Sequence, residues 1–251
     1  LTAPSLSSMV PPVRRSLPVC FQTNQAPRLF PASDPMNHFS GVKALLFDFD
    51  GTLVDTMGAF ADLAGQLMAE AYGGTVEQGR EDYLRTSGIP FFQQLGVLHP
   101  ADPRNDLVSI RFEKEKLSAY NSKGLFADVG PAVAELRRRG VACVVSSNNF
   151  TPVVVEFLKG QDVGFDLVLG YDSGFCKGEP HFAHVQRTLA LSREQLGFVG
   201  DSVRDGELAI NSGLRFCARL GTVPRQRFLE RFGPNPFPFI DTLAELLSHV
   251  D

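Results

Sequence analysis

Two aspartates separated by a single phenylalanine, Asp48-Phe49-Asp50, close the apolar run Leu45-Leu46-Phe47 and are followed at once by Gly51 and Thr52. Neighbouring like charges cost a folded chain stability, so their presence points to chemistry. Side chains alternate along a strand, which lets Asp48 and Asp50 face one side while Phe49 faces the other. Gly51 permits a sharp exit from the strand. Two carboxylates this close repel unless a cation lies between them or one is protonated. Other groups of this kind recur downstream. Ser146-Ser147-Asn148-Asn149 precedes a helix start at Thr151-Pro152, where hydroxyls and backbone N–H groups make a seat for a phosphate. Lys177 stands in GFCKGEP, and Gly200-Asp201-Ser202-Val203-Arg204-Asp205 puts one acid after an apolar run and another a turn into a helix. Oxygen donors at this density suit a hard cation, Mg²⁺ above all, better than zinc.

The elements that must carry these groups alternate. VKALLFDFD (42–50), VACVVS, FDLVLG, LGFVGD and LRFCARL read as strands, and PAVAELRRRG, TPVVVEFLKG, EPHFAHVQRTLALS and RDGELAINSG as the helices between them. Such alternation implies an α/β fold, a Rossmann-like parallel sheet covered by helices on both faces. Ligands bind at the carboxyl ends of such strands, where each chemical group above falls. The block 57–123 interrupts the alternation after the first strand and reads as helical throughout: DTMGAFADLAGQLMAEAYGG, two shorter turns, then DLVSIRFEKEKLSAYNSKG as one helix. It is expected to be an inserted α-helical cap, with 36–56 and 124–251 forming the core domain.

DFDGTLVD, VVSS, KGEP and GDSVRD, in that order, resemble the four motifs of the haloacid dehalogenase superfamily in its phosphatase branch, over essentially residues 41–251. The helical insertion matches that family's small cap. The resemblance implies Asp48 as the nucleophile that forms an aspartyl-phosphate, and Asp50 as general acid and then base, its backbone carbonyl also meeting the metal. It implies that Thr52 helps hold Asp50 and that Ser146 and the Ser147 N–H grip phosphate oxygens. Lys177 would neutralise the phosphate and Asp48, while Asp201 and Asp205 bind Mg²⁺. Many relatives read Lys-Pro-x-Pro where this chain has Lys177-Gly178-Glu179-Pro180. The lysine and second proline persist, so the departure affects the local turn.

The implied activity is Mg²⁺-dependent hydrolysis of a small phosphomonoester, phosphoglycolate or a sugar phosphate among the candidates. A phosphomutase of the β-phosphoglucomutase kind shares the cap and both aspartates, although Asp205 speaks against it. A non-catalytic phosphate-binding module would be expected to lack an essential group, and none is lacking here. His181 and His184 read as helix-surface histidines rather than metal ligands, and Arg137, Arg138 and Arg139 as surface charge near a helix end. Phe60, Leu63, Leu67 and Ala71 form a packing stripe. In the cap, Arg85-Thr86-Ser87-Gly88 is the polar turn expected to reach the substrate.

Net charge is −4, and since residues 1–33 hold three arginines and no acid, the remainder carries −7. An acidic body argues against nucleic acid as a partner, and no apolar run reaches the roughly 18 residues of a membrane span. The four cysteines (20, 143, 176 and 217) form no Cys-x-x-Cys pair. They are expected to be buried free thiols in a reducing, cytoplasmic setting. Residues 1–35 hold seven of the seventeen prolines and no hydrophobic period, so disorder is expected. Their composition fits a transit peptide for organellar import, or sequence upstream of a natural start at Met36, which is the favoured reading. The sequence leaves oligomeric state open.

Overall fold

The computed structural model describes residues 38–251, and the expectations for the first 35 residues lie outside that range. The described chain falls into two compact units, one spanning Asp55–Gly124 and the other combining the segment up to Val54 with Leu125–Asp251.

The larger unit is a six-stranded parallel sheet. Its strands are β1 (Ala44–Phe47), β2 (Ala142–Phe150), β3 (Leu167–Tyr171), β4 (Leu196–Gly200), β5 (Arg215–Arg219) and β6 (Phe239–Ile240), in the spatial order β3-β2-β1-β4-β5-β6. Every side chain of β1 and of β4 is buried, as strands covered on both faces require. The helices between them are α6 (Val129–Arg138), α7 (Thr151–Lys159), α8 (Glu179–Leu189), α9 (Val203–Asn211), α10 (Arg225–Phe232) and α11 (Leu243–Leu246). The chain leaves β1 for β2 and β3 on one side, then returns to β4 on the other. That reversal opens a crevice at the carboxyl ends of β1 and β4, the place where such sheets bind ligands.

The larger unit departs from the sequence expectation in its strands, its last helices and its cysteines. β2 does not stop at Ser146 but runs on to Phe150, its pairing with β3 shifting register between those two residues. That irregularity lets a strand end carry four polar residues in succession. β6, with only two paired residues, and the helices on either side of it were not foreseen. Such short pieces carry no usable periodicity. The thiol reading is also corrected. Cys143 and Cys217 are buried and free, but Cys176 is disulfide-bonded, which removes the cysteine argument for a reducing compartment.

The smaller unit is helical: α1 (Met57–Tyr72), α2 (Val76–Arg85), α3 (Phe91–Leu98), α4 (Asn105–Glu115) and α5 (Leu117–Ser122). The single helix expected over 106–124 is broken at Lys116. Phe60, Tyr83, Phe91 and Phe112 make the aromatic centre, with Phe91 and Phe112 ring centroids 4.2 Å apart. Phe60 and Leu67 of the expected packing stripe are buried. The two ends of the unit meet where Lys123 Nζ lies 3.5 Å from Asp55. Helices α1 and α2 touch through glycine: a Cβ on Gly65 would lie 2.4 Å from the Val76 carbonyl oxygen, and one on Gly79 would lie 2.9 Å from Gly65 Cα. Backbone cannot yield as a side chain can. Gly65→Ala is therefore expected to destabilise this unit by about 1–3 kcal/mol, read as a fall in its thermal midpoint.

Candidate active site

The parallel register sets out the site. Phe47 pairs with Val145 on one side and Val199 on the other, so Asp48, the next residue, comes level with Ser146 and Gly200. The Asp48 N–H still donates to the Val199 carbonyl at 2.9 Å, which fixes the start of the loop. Gly51 then adopts φ +79°, and a Cβ there would fall 2.0 Å from Asp201 Oδ2. Only glycine leaves room for the Asp201 carboxylate.

Asp48, Asp201 and Asp205 are all buried, and one carboxylate oxygen from each lies within 4.8 Å of the others. Lys177 reaches into this cluster, its Nζ 2.9 Å from Asp48 Oδ1 and 2.6 Å from Asp205 Oδ1. One ammonium against three carboxylates leaves an excess of negative charge in a dry place. Burial pushes the Asp48 carboxyl well above the usual range; Lys177 opposes the rise, and the charges of Asp205 and Asp201 add to it. Burial, followed by the Asp205 charge, lifts Asp201 to about 7. Burial alone would weaken the Lys177 ammonium, but the two carboxylates outweigh it and hold its proton more tightly than usual. Oδ2 of Asp201 makes no well-formed hydrogen bond. A buried carboxylate oxygen that lacks a well-formed hydrogen bond, within an all-oxygen donor set, fits a divalent cation. Asp205 has a second task, since Oδ2 accepts from both the N–H and the hydroxyl of Ser202, a reciprocal cap on α9.

The end of β2 closes the other side. Ser147 Oγ accepts from the Asn149 N–H at 3.0 Å, and Asn148 Oδ1 accepts from the Lys177 N–H at 3.1 Å. The Asn149 amide donates a short hydrogen bond to Asp50 Oδ2. Asp50 stands apart from the three-carboxylate cluster, and the amide on its carboxylate is that of Asn149. Thr52, expected to help hold it, is buried with its hydroxyl making no well-formed hydrogen bond. Its carbonyl is held instead: Arg219 Nη1 donates to it at 3.0 Å while Nη2 meets Asp128 at 3.1 Å and the guanidinium lies 4.1 Å from the Phe126 ring centre. Among these, Asn149 and Arg219 were missed from sequence. The polar run at the strand end was the available signal for Asn149; Arg219, within LRFCARL, gave none.

His181 also departs from expectation. It is not a surface histidine but fully buried, with Nδ1 2.9 Å from Ser146 Oγ and Nε2 3.2 Å from the Gly170 carbonyl oxygen. Burial holds its pKa down to about 3, so the ring is neutral. In the helical unit, Thr86 Oγ1 meets Asp82 O at 2.7 Å and Gln94 Oε1 at 2.8 Å, and Arg85 pairs with Asp82. The polar turn expected to reach the substrate is thus tied down within its own unit.

Comparison with known proteins agrees with this geometry. Residues 45–219 match the family model described as haloacid dehalogenase-like hydrolase. A phosphoglycolate phosphatase of Photorhabdus laumondii is 28% identical over 225 residues, covering 84% of this chain and 93% of that protein. One from Pectobacterium atrosepticum is 28% identical over 192 residues, or 72% and 81% of the two chains. A haloacid dehalogenase-like family hydrolase from Streptococcus pneumoniae shares the fold, with a TM-score of 0.68 at 17% identity over 83% of this chain and 98% of that one.

Proposed function

Because the chain belongs to the haloacid dehalogenase-like hydrolases, we propose that it is a Mg²⁺-dependent phosphatase acting on a small phosphomonoester, of the phosphoglycolate or sugar-phosphate type. The observation that carries this reading is the buried cluster in which Lys177 bridges Asp48 and Asp205 beside Asp201.

Asp48 attacks phosphorus, a new bond forms to its carboxylate oxygen, and the ester P–O bond breaks. The departing oxygen takes a proton from Asp50. Water then attacks the aspartyl-phosphate as Asp50 recovers a proton from it, releasing phosphate and the free Asp48. Lys177 favours the ionised form of Asp48 against the effect of burial and aims it, and its charge opposes that of the phosphoryl oxygens. The end of β2 offers the Ser146 and Ser147 groups as the phosphate seat. Asp48, the backbone carbonyl of Asp50, Asp201 and Asp205 would hold Mg²⁺, which supplies further positive charge against the phosphoryl group. Phosphoryl transfer needs mainly position and charge, and these parts supply both. The substrate class is supported by the two 28%-identical phosphoglycolate phosphatases. Among the described residues no helix is long and apolar enough to cross a membrane.

Phosphate release from a panel of phosphomonoesters, with Mg²⁺ and with chelator, tests the reading. Release that ignores chelator would remove the metal from it, and release from no ester would remove the phosphatase. Metal binding has its own signature. The folded-state carboxyls of Asp48 and Asp201 are both raised, so in metal-free protein the stability they contribute is greatest at acid pH and falls as pH rises, for Asp201 through about 7. A cation needs both groups ionised and offsets that loss. Mg²⁺ is therefore expected to raise the thermal midpoint more at about pH 8 than at about pH 5.5. An equal rise at both would show that it binds elsewhere.

A further inference from the structure

The side-chain amide of Asn149 donates to Oδ2 of Asp50, the group that the phosphatase reading makes both acid and base. Asn149 is itself firmly held. It is 8% exposed, and its backbone N–H donates to Ser147 Oγ at 3.0 Å. It lies in the stretch of β2 where pairing with β3 shifts register, between Ser146 and Phe150. There Gly170 lets the two strands approach closely, since a Cβ on it would lie 2.6 Å from the Asn149 carbonyl oxygen. The backbone around Asp50 is closed on itself as well. The Gly51 N–H donates to the Val54 carbonyl at 2.8 Å, and the Leu53 and Val54 N–H groups both donate to the Phe49 carbonyl, at 2.8 and 3.0 Å. Donor and acceptor thus stand on two well-tied pieces of backbone, and the bond between them holds the Asp50 side chain in one rotamer.

A hydrogen bond at Oδ2 suits both states through which Asp50 must pass. An ionised carboxylate accepts at either oxygen. In the neutral acid the carbonyl oxygen still accepts, while the other oxygen carries the hydrogen. An amide that keeps Oδ2 as an acceptor in both states therefore puts the proton on Oδ1. We propose that Asn149 is a positioning residue: it binds Oδ2 of Asp50 throughout the reaction, so that Oδ1 gives the proton to the leaving oxygen and later takes one from water. This rests on the reading of Asp50 as general acid and base. In the first step the Oδ1–H bond breaks as the ester P–O bond does, and the proton passes to the departing oxygen. In the second a water O–H bond breaks and the Oδ1–H bond forms again. Asn149 exchanges no proton itself and supplies only orientation.

The need for that proton depends on the ester. An alkoxide leaves poorly unless it is protonated, whereas nitrophenolate leaves almost without help. The test is kcat/KM, which covers the steps through loss of the leaving group, measured with Mg²⁺ over phosphomonoesters whose leaving alcohols run from alkyl to nitrophenyl. Asn149→Ala is expected to lower it about 10- to 100-fold for alkyl esters and by less than about threefold for the nitrophenyl ester. A change that only loosened the fold, the metal site or the phosphate seat would lower all esters alike, because they share the phosphoryl group. Equal losses across the series, or no loss for the alkyl esters, would overturn the proposal.

A second measurement needs no turnover and no change at Asn149. In a ¹H–¹⁵N spectrum of wild type, assigned from the residue's own backbone, one proton of the Asn149 amide should lie downfield of ordinary side-chain amides. Asp50→Ala should bring it back among them. An amide signal that ignores Asp50→Ala would overturn the proposal, even if Asn149→Ala failed to fold. If wild type hydrolyses no ester, it is the phosphatase reading that fails, and the spectrum still decides whether Asn149 holds Asp50.

Discussion

Asp48→Asn is expected to abolish phosphate release, by at least about a thousandfold, while leaving the metal-free protein more stable than wild type. The two effects have opposite signs for one reason. Asp48 acts as a nucleophile when ionised and aimed, but in metal-free protein ionising it puts a buried charge beside Asp201 and Asp205 with one lysine to offset all three, which is why its pKa is raised. Asparagine fits the same space without charge, so repulsion falls and the Lys177–Asp205 pair remains. Phosphate release and thermal melting in chelator, side by side, check this. Activity that survives in the variant would rule out Asp48 as nucleophile. A lower thermal midpoint would show that the Asp48–Lys177 attraction outweighs the repulsion.

Lys177→Met has the second large effect, and here activity and stability fall together. Methionine fills much of the volume but leaves Asp48 and Asp205 buried without their cation, and breaking a buried pair from one side costs on the order of 3–5 kcal/mol. Urea unfolding in chelator measures it. Adding Asp48→Asn to Lys177→Met should restore part of the stability and none of the activity, since one of the stranded charges is then gone. If the double variant is no more stable than Lys177→Met, the carboxylates are not what the lysine supports.

The strand ends were readable because catalysis demands residues that stability does not. An Asp-Phe-Asp after a buried strand, an isolated lysine and a second acid pair stand out against the apolar alternation that builds the sheet. The residues that hold these groups were harder to see. Arg219 lies in a run that reads as a strand, and nothing local says that its guanidinium will grip the Thr52 carbonyl and Asp128, far away in sequence. His181 follows helical spacing and looks like any surface histidine until its helix is laid against β2 and β3. Thr52 illustrates the converse: its place in the motif suggested that it helps hold Asp50, yet its hydroxyl makes no well-formed hydrogen bond while the Asn149 side chain donates to the Asp50 carboxylate.

By itself, then, the sequence determined the α/β alternation, the helical insertion after the first strand and the identity of the charged groups, because period, glycine placement and polar residues at strand ends are local properties. Only the tertiary structure decided which groups meet. The order β3-β2-β1-β4-β5-β6 sets β1 between β2 and β4 and so brings Asp48, Ser146 and Asp201 to one crevice. Burial there, which no single segment encodes, raises the carboxylate pKa values and keeps His181 neutral. Desolvation depends on everything packed around a group, and that is a property of the assembled fold.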